Sequence, residues 1–433
     1  MKKFVIIKLD APATLTSKAW RVPTAEPINF AKALIDASEE TVDVCLIGQT
    51  QKSIEVGDFG TIRTVAYFGD PKSVKDEFDE DTKVILWQGR PCYGANSPAT
   101  PDKIGTKLAL TDPYSAGDYE RISLYKIWQV MMYNLFSSNV IPEKAQKFFL
   151  LTDLRAPLID MHKVDPIAVP KPLPKNIVLL TQAYHHEAYA KWYSKYFNGA
   201  AYPEVDIADY AYEFKSSMYL PLHTLPLYSH EQFAKPICKK SGDSIFQVQS
   251  LTYIDDYRKK KLAEALDFVN GYCTLHGRFR AAERGVVVAN YAKYADLLLE
   301  KLIDNADNPS ENFLDSAKIL SDYQASLIVT DQRYARFGLC PNRLVEAIAV
   351  NTLPLIVNDA LTYCDPVLTK AIDELQICPA KTEVTADARI IVKTKDNMVI
   401  PEDKLHTVMA SIRTTLKDQL KESLRKFANY YIA

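Results

Sequence analysis

Two short apolar runs near the amino terminus, FVIIKL at Phe4–Leu9 and VDVCLI at Val42–Ile47, flank a helical stretch, PINFAKALIDASEE at Pro27–Glu40. Nearly continuous apolar runs of this length are typical of parallel strands that are covered on both faces. Proline suits the first position of a helix, so the helix is expected to begin at Pro27. The order strand, helix, strand predicts a parallel β-α-β unit.

The same alternation of short apolar runs and longer amphipathic stretches continues along the chain. It predicts an α/β fold with two doubly wound domains, because the runs fall into two sets. The carboxyl ends of the strands in such sheets are the usual place for a ligand. The remaining strands of the first set are predicted at Val84–Trp87, Phe148–Thr152 and Ile177–Thr181, and those of the second at Gly271–Leu275, Ala325–Thr330, Pro354–Val357 and Arg389–Val392.

Composition suggests where the domains divide. The polar, glycine-containing segment KKSGDS at residues 239–244 is expected to be a linker, which gives an amino-terminal domain of residues 1–245 and a carboxy-terminal domain of residues 246–400. Residues 401–433 have apolar side chains at helical spacing, with no helix breaker after Pro401. They are therefore expected to form one or two helices that pack back toward the amino-terminal domain.

The bulk properties exclude several classes of protein. The length of 433 residues suits two domains, and the formal net charge of −2 argues against a protein that coats nucleic acid by charge alone. The seven cysteines are scattered without a C-x-x-C pair, which favours reduced thiols. No apolar stretch approaches the roughly 20 residues of a membrane span, and the amino terminus predicts a strand rather than a signal peptide. We expect a soluble protein.

A carboxylate follows the predicted strand Phe148–Thr152. In the segment LTDLRAP at residues 151–157, Asp153 comes at the carboxyl end of that strand. A carboxylate at this position can act as the general base that deprotonates an attacking hydroxyl. An aspartate that caps a turn or a helix is the alternative interpretation.

Two arginines begin the helical stretch after the predicted strand Gly271–Leu275. Arg280 and Arg284 lie four residues apart in HGRFRAAER at residues 276–284, so they share one face of the first helical turn. Helix N-termini attract anions and disfavour cations, so this pair predicts a bound diphosphate. A solvated basic face is the alternative.

A second charged pair, Arg343 and Glu346, lies in NRLVEA at residues 342–347, after the segment DQRY at residues 331–334. The spacing of three residues places both side chains on one helix face. The glutamate could accept both hydroxyls of a ribose while the arginine holds a phosphate. An ordinary ion pair within the helix is the alternative.

Glu26 lies in RVPTAEP at residues 21–27, after the first strand. It is expected to begin the first helix at the edge of the ligand cleft, although the helix dipole alone also favours a glutamate there. Metal motifs are weaker, because Asp79-Glu80-Asp81 belongs to an acidic run typical of a solvated loop. We predict no metal site built by the protein.

Together, and in this chain order, the clusters resemble the bacteriophage DNA β-glucosyltransferase family, which has the GT-B fold of two facing Rossmann-like domains with the donor site in the cleft. The segment TDLRAP at residues 152–157 is similar to the family's Thr-Asp-Ile-Arg-x-Pro. That resemblance assigns the role of catalytic base to Asp153. The segment FRAAER at residues 279–284 is similar to Phe-Arg-x-x-x-Arg, which assigns the donor pyrophosphate to Arg280 and Arg284.

Two more motifs carry the resemblance. The family's Asp-x-x-Tyr followed by Arg-x-x-Glu is similar to DQRY at residues 331–334 and RLVE at residues 343–346, with a spacing one residue longer here. It implies a donor site in which Glu346 binds the uridine ribose, Arg343 binds the phosphates and Tyr334 takes part. Val-Pro-x-x-Glu is similar to VPTAE at residues 22–26, which implies that Glu26 contacts the donor sugar.

The resemblance implies an inverting glycosyltransferase that uses a UDP-sugar and acts on the hydroxymethyl group of 5-hydroxymethylcytosine in phage duplex DNA. The sugar is glucose or arabinose, because related phage enzymes transfer arabinose and this chain has extra sequence at residues 89–123 and about 184–245. Mg²⁺ or Mn²⁺ can assist the UDP. The expected partners are UDP-sugar and double-stranded DNA with hydroxymethylated cytosine, with no membrane, in the cytoplasm of the infected host. No DNA-binding residue is assigned.

Two other functions remain open. The first is a GT-B glycosyltransferase with a small-molecule, lipid or glycan acceptor, which the slightly acidic charge balance favours. The second is a nucleotide- or DNA-binding protein without catalysis, for which a base such as Asp153 has no purpose.

Overall fold

The chain divides into two compact units in a computed structural model: residues 1–222 with 420–433, and residues 223–419. Each unit is built on its own sheet. The structure describes residues 1–8, 22–48, 52–55, 60–67, 69–88, 132, 134–151, 176–195, 214–248, 251, 254, 256–277, 279, 281–304, 313–329, 337–356, 364–375, 382–384, 390–392 and 401–431.

Within the described part of the first unit there are an eight-stranded sheet and two α-helices that precede residue 222. Its elements are β1 (Lys2–Lys8), α1 (Val22–Ala37), β2 (Val42–Ile47), β3 (Lys52–Glu55), β4 (Gly60–Val65), β5 (Lys83–Gln88), β6 (Gln146–Leu151), β7 (Val178–Thr181), α2 (His186–Lys195) and β8 (Ser216–Tyr219). The strand order is β3-β4-β2-β1-β5-β6-β7-β8, and β3 alone in this sheet runs antiparallel to its neighbour. The strands after β1 are therefore added on both sides of it, first β2 on one side and later β5 on the other, which is the doubly wound pattern.

The second unit contains a five-stranded parallel sheet with the order β11-β10-β9-β12-β13. This order is that of a Rossmann-like half in which β9 is the first strand and occupies the middle. The α/β class with two doubly wound domains is thereby confirmed. The elements are β9 (Gly242–Gln247), α3 (Asp256–Phe268), β10 (Thr274–Gly277), α4 (Ala281–Asn290), α5 (Ala295–Glu300), β11 (Ile303–Asp304), α6 (Phe313–Ser321), β12 (Tyr323–Ile328), α7 (Asn342–Ala349), β13 (Leu353–Ile356), α8 (Pro366–Leu375), β14 (Thr382–Val384) and β15 (Ile390–Val392).

The carboxy-terminal helix α9 (Glu402–Asn429) has one part in each unit. Its final residues from Leu420 onward belong to the first unit, where the ring of Phe427 lies 5.0 Å from that of Phe148 and 5.9 Å from that of Phe4. The end of the helix is held by Lys83, whose ammonium donates a hydrogen bond to the carbonyl of Tyr430 at 2.9 Å. These aromatic contacts fix the helix end against strands of the first sheet.

The segment expected to be a linker, residues 239–244, instead leads into the middle strand of the second sheet. Gly242 begins β9, and a Cβ atom at this position would lie 2.6 Å from Cε1 of Tyr323 on β12. The glycine therefore makes room for the Tyr323 ring, whereas its polar neighbours give the segment the composition of a linker. Ser244 is buried and donates its hydroxyl hydrogen to the carbonyl of Tyr272. The expected boundary at residue 245 falls inside this strand.

Lys240 is the second reason why this segment is not a linker. Its ammonium is buried and donates hydrogen bonds to the carbonyls of Ser321 at 2.6 Å and Val350 at 3.1 Å, and to the hydroxyl of Thr352 at 3.1 Å. The two carbonyls lie at the ends of α6 and α7, where backbone acceptors lack helical partners. A cation there ties both helices to the start of β9.

Three predicted elements differ from those observed. Helix α1 begins at Val22 rather than Pro27, because Pro23 occupies the first turn, where a proline is tolerated. Strand β10 begins at Thr274 rather than Gly271, because Gly271 has a φ of +74° and its amide donates to the carbonyl of Leu266 to end α3. The strand expected at Arg389–Val392 is β15, which pairs antiparallel with β14 outside the parallel sheet.

Two expectations from composition can be compared with the described part of the chain. No helix there is long and apolar enough to cross a membrane. Cys45, Cys273, Cys340 and Cys364 are buried free thiols, and Cys238 is a free thiol that is exposed.

We predict that Gly242→Ala lowers the free energy of unfolding by about 1–3 kcal/mol, because the added methyl group overlaps the Tyr323 ring. Gly285→Ala is the matched control, since no atom lies within 4 Å of a Cβ built there and alanine favours the helix by about 0.5–1 kcal/mol. Urea denaturation measures both. Equal effects of the two substitutions would contradict the close-approach explanation.

Candidate functional site

The chain reverses its direction of winding at β9 in the second sheet, which has β10 on one side and β12 on the other. The carboxyl ends of the strands at such a point border a crevice in which α/β proteins bind ligands. Gln247 is the last residue of β9. Gln247 is within hydrogen-bond distance of Ser316 on α6 and of Arg343 at the start of α7, and the last two are within hydrogen-bond distance of each other. Three elements therefore meet at this end of the strand.

Arg343 is the centre of this cluster. Its Nη1 atom donates to Oε1 of Gln247 at 2.7 Å, to Oε2 of Glu346 at 2.7 Å and to Oγ of Ser316 at 3.2 Å. Gln247 in turn lies with its Nε2 atom 3.3 Å from Oγ of Ser316. The Arg343 side chain remains 39% exposed, whereas that of Glu346 is 8% exposed. The guanidinium is thus held by buried or half-buried groups while part of it faces solvent.

The predicted pair Arg343 and Glu346 is therefore brought together as an ion pair along α7. This is the simpler of the two interpretations offered by the sequence. The carboxylate of this pair is buried, whereas an ordinary ion pair on an outer helix face is exposed. A charge that is desolvated in this way needs such a partner.

Arg284 lies on α4, which follows β10, and its side chain is 50% exposed. Its Nη2 atom is 4.0 Å from Oδ2 of Asp304, and Oδ1 of the same carboxylate accepts a hydrogen bond from the backbone amide of Phe279 at 3.1 Å. Asp304 ends β11, the edge strand beside β10. The arginine and this backbone amide thus both contact one carboxylate at the beginning of α4.

Glu26 belongs to the first unit. It lies on α1, which follows the central strand β1, and it is 8% exposed. The sequence predicted that Glu26 begins the helix. Because α1 begins at Val22, Glu26 is instead its fifth residue. Burial is unusual for a glutamate that merely favours a helix dipole.

Three predicted site residues lie outside the described residues: Asp153, Arg280 and Tyr334. Asp153 comes two residues after the end of β6, and Arg280 immediately precedes α4. Their roles stay predictions. Within the described ranges, no group of three or more histidine, cysteine, aspartate or glutamate side chains is arranged to hold a metal ion.

Sequence reasoning missed Gln247, Ser316 and the buried His230. Gln247 was hidden because β9 begins with the polar residues that resemble a linker. Nδ1 of His230 lies 3.0 Å from the hydroxyl of Ser229. Burial lowers the pKa of His230 to about 4, the charge of Glu346 opposes this shift and Arg343 adds to it, so the imidazole lies within electrostatic reach of the pair.

Comparison with known proteins gives similarity in structure only. No family model and no curated protein sequence matches the chain. The structure is similar to that of T4 phage BGT in complex with UDP and Mn²⁺, with 14% sequence identity over 99% of this chain and 100% of that chain and a TM-score of 0.49. It is also similar to an alpha-glucosyltransferase in complex with UDP-glucose and DNA containing an abasic site, with 11% identity over 98% and 94% of the two chains and a TM-score of 0.40.

We predict that His230 makes the protein less stable in mild acid. Its folded-state pKa of about 4 is below the unfolded value, so only the unfolded chain binds a proton between about pH 6.5 and 4. The stabilisation of the folded state that depends on neutral His230 is fully present above that window. It is lost as the pH falls through the window, and the total loss is on the order of 3 kcal/mol. Thermal unfolding between pH 7.5 and 5 measures the slope.

His230→Asn retains a polar partner for Ser229 and should reduce this slope, while the buried His223, whose pKa burial also lowers to about 4, keeps its own share. The same substitution at the exposed His185 is the matched control and should leave the wild-type slope unchanged. A His230→Asn protein with the full wild-type slope would show that another group is responsible.

Proposed function

We propose that this chain is a UDP-sugar-dependent DNA glycosyltransferase of the bacteriophage β-glucosyltransferase type. The observation that carries the proposal is the half-exposed Arg343 beside the buried Glu346, at the carboxyl end of β9 where the second sheet changes its winding. Both residues match the family's Arg-x-x-Glu motif. A nucleoside diphosphate requires a cation for its phosphates and an acceptor for its ribose hydroxyls, and this pair supplies both.

The donor is held by residues from three of the sequence motifs. Arg280, Arg284 and Arg343 bind the diphosphate, Glu346 accepts the ribose hydroxyls, Tyr334 completes the nucleotide site and Glu26 contacts the sugar. Arg284 is half-exposed and its guanidinium is separated from Asp304 by 4.0 Å, so it is accessible to a phosphate. These cations stabilise the charge that develops on UDP as the glycosidic bond breaks.

The chemistry is a single displacement with inversion. Asp153 takes the proton from the hydroxymethyl group, and the hydroxymethyl oxygen forms a bond to the anomeric carbon as the bond between that carbon and UDP breaks. UDP leaves with the bonding electrons from the opposite face, so the configuration inverts. No protein ligand is assigned to Mg²⁺ or Mn²⁺, and no step depends on such an ion.

The acceptor is 5-hydroxymethylcytosine in phage duplex DNA, and the enzyme acts in the cytoplasm of the infected host. A base within a duplex cannot reach a cleft, so the nucleotide must flip out at a cost of a few kcal/mol. The transferred sugar is glucose or arabinose. The acceptor identity rests on the Asp153 motif together with Val-Pro-x-x-Glu at residues 22–26.

We expect a hexose or a pentose mass shift on hydroxymethylcytosine when the protein is incubated with hydroxymethylated duplex DNA and either UDP-glucose or UDP-arabinose. Mass spectrometry of the digested nucleosides measures the shift and identifies the donor. Asp153→Asn should reduce the rate by at least about 100-fold, because a general base contributes roughly 10²–10⁴-fold.

The same variant should bind UDP with wild-type affinity, since Asp153 acts on the acceptor. An unchanged rate in Asp153→Asn would remove this residue from the mechanism. UDP binding by the wild type without transfer to DNA from either donor would contradict the DNA acceptor. It would favour a small-molecule, lipid or glycan acceptor, or a nucleotide-binding protein without catalysis.

The formal net charge of −2 is the observation that favours a small-molecule, lipid or glycan acceptor over DNA. If DNA is the acceptor, lysines and arginines on a local face must displace counterions from the phosphates. We therefore expect the affinity for duplex DNA to fall at least about tenfold between 50 and 200 mM salt. Fluorescence anisotropy measures this dependence, and binding that is insensitive to salt would point to another acceptor.

A further inference from the structure

The guanidinium of Arg343 is held in an asymmetric way. Its three hydrogen bonds to described residues are all donated by one nitrogen, Nη1, to Gln247, Glu346 and Ser316. A guanidinium nitrogen of this kind carries two N–H bonds, so three acceptors saturate it. The Nε and Nη2 atoms form no hydrogen bond with any other described residue.

Among the described residues, none occupies the edge that contains Nε and Nη2. Two parallel N–H groups on one edge of a guanidinium match the spacing of two oxygens of a phosphate, and such bidentate contacts are strong and directional. The side chain is 39% exposed, so the arginine is not sealed within the core. The protein holds the arginine by its third nitrogen and thereby leaves the phosphate-binding edge intact.

Gln247 is the residue that makes this orientation specific to the site. Glu346 is three residues from Arg343 on the same helix and would restrain the guanidinium only within α7. Gln247 comes from β9 and is 8% exposed, and its amide joins Arg343 at 2.7 Å to Ser316 on α6 at 3.3 Å. The amide thus fixes the arginine relative to the end of the sheet.

We infer that Gln247 is a positioning residue, which orients Arg343 so that its Nε and Nη2 edge binds a phosphate of the nucleotide donor, and that Ser316 supports the amide in this role. The inference rests on the proposed function, in which Arg343 binds the donor phosphates. A neutral amide suits this task. A carboxylate in its place would also hold Nη1, but it would add a second negative charge close to the bound diphosphate.

Calorimetric titration of the full-length protein with UDP, uridine and inorganic pyrophosphate tests the inference. In Gln247→Met the side chain keeps its length and loses the acceptor. We expect UDP and pyrophosphate to bind about tenfold more weakly, with the affinity for uridine within twofold of wild type. Gln146→Met is the matched control: it removes an amide acceptor 2.9 Å from the Lys83 ammonium in the other unit and should change none of the affinities.

A double-mutant cycle with Arg343→Met separates positioning from a general structural effect. If Gln247 acts through Arg343, then Gln247→Met should weaken UDP binding by less than twofold once Arg343 has been replaced. A full tenfold loss in that background, or a parallel loss of uridine binding, would overturn the inference.

The proposed function can fail separately. If the wild-type protein binds pyrophosphate but not UDP, the proposal of a nucleotide donor is wrong. The same cycle measured with pyrophosphate still decides the role of Gln247. If the wild type binds neither ligand, Arg343 does not bind an oxyanion, and both the inference and the proposed donor site are wrong.

Discussion

The packing at the beginning of β9 depends on Gly242, which pairs with Tyr323 on β12. A side chain at this position would overlap the Tyr323 ring, so the glycine leaves the space that this ring occupies. From there the strand runs to Gln247, whose amide reaches Arg343. The register of β9 against β12 is set where Gly242 pairs with Tyr323. This register fixes the position of Gln247 at the other end of β9.

The helix that carries Arg343 is fixed at its far end as well. The ammonium of Lys240 donates to the carbonyl of Val350 just after α7, and Arg413 on α9 donates to the carbonyl of Ile348 and to the side chain of Asn351. Cations at a helix C-terminus satisfy carbonyls that have no partner within the helix and favour the sign of its dipole. Both ends of α7 are thus held by residues distant in sequence, which fixes the position of the helix that carries Arg343 and Glu346.

The sequence predicts the α/β class well because buried parallel strands appear as short apolar runs, and Phe4–Leu9, Val42–Ile47 and Phe148–Thr152 each overlap an observed strand. It fails at β9 for a physical reason. This strand begins with glycine, aspartate and serine, and its burial depends on partners such as Tyr272 and Tyr323 that local pattern cannot identify. Charged motifs were recognisable by spacing along one helix, which is how Arg343 and Glu346 were found. Gln247 and Ser316 were not, since only the tertiary fold brings β9, α6 and α7 together.

The two interpretations of Arg343 and Glu346 are not true alternatives once their surroundings are known. A solvated pair three residues apart stabilises a helix by a few tenths of a kcal/mol and places no demand on its neighbours. Here the carboxylate is buried, and the arginine receives two further acceptors from other elements of the sheet edge. Three acceptors share the two N–H bonds of this nitrogen, and two of the acceptors come from β9 and α6. Contacts from three elements fix the direction of the guanidinium, and this fixed direction is what we propose serves to bind an oxyanion.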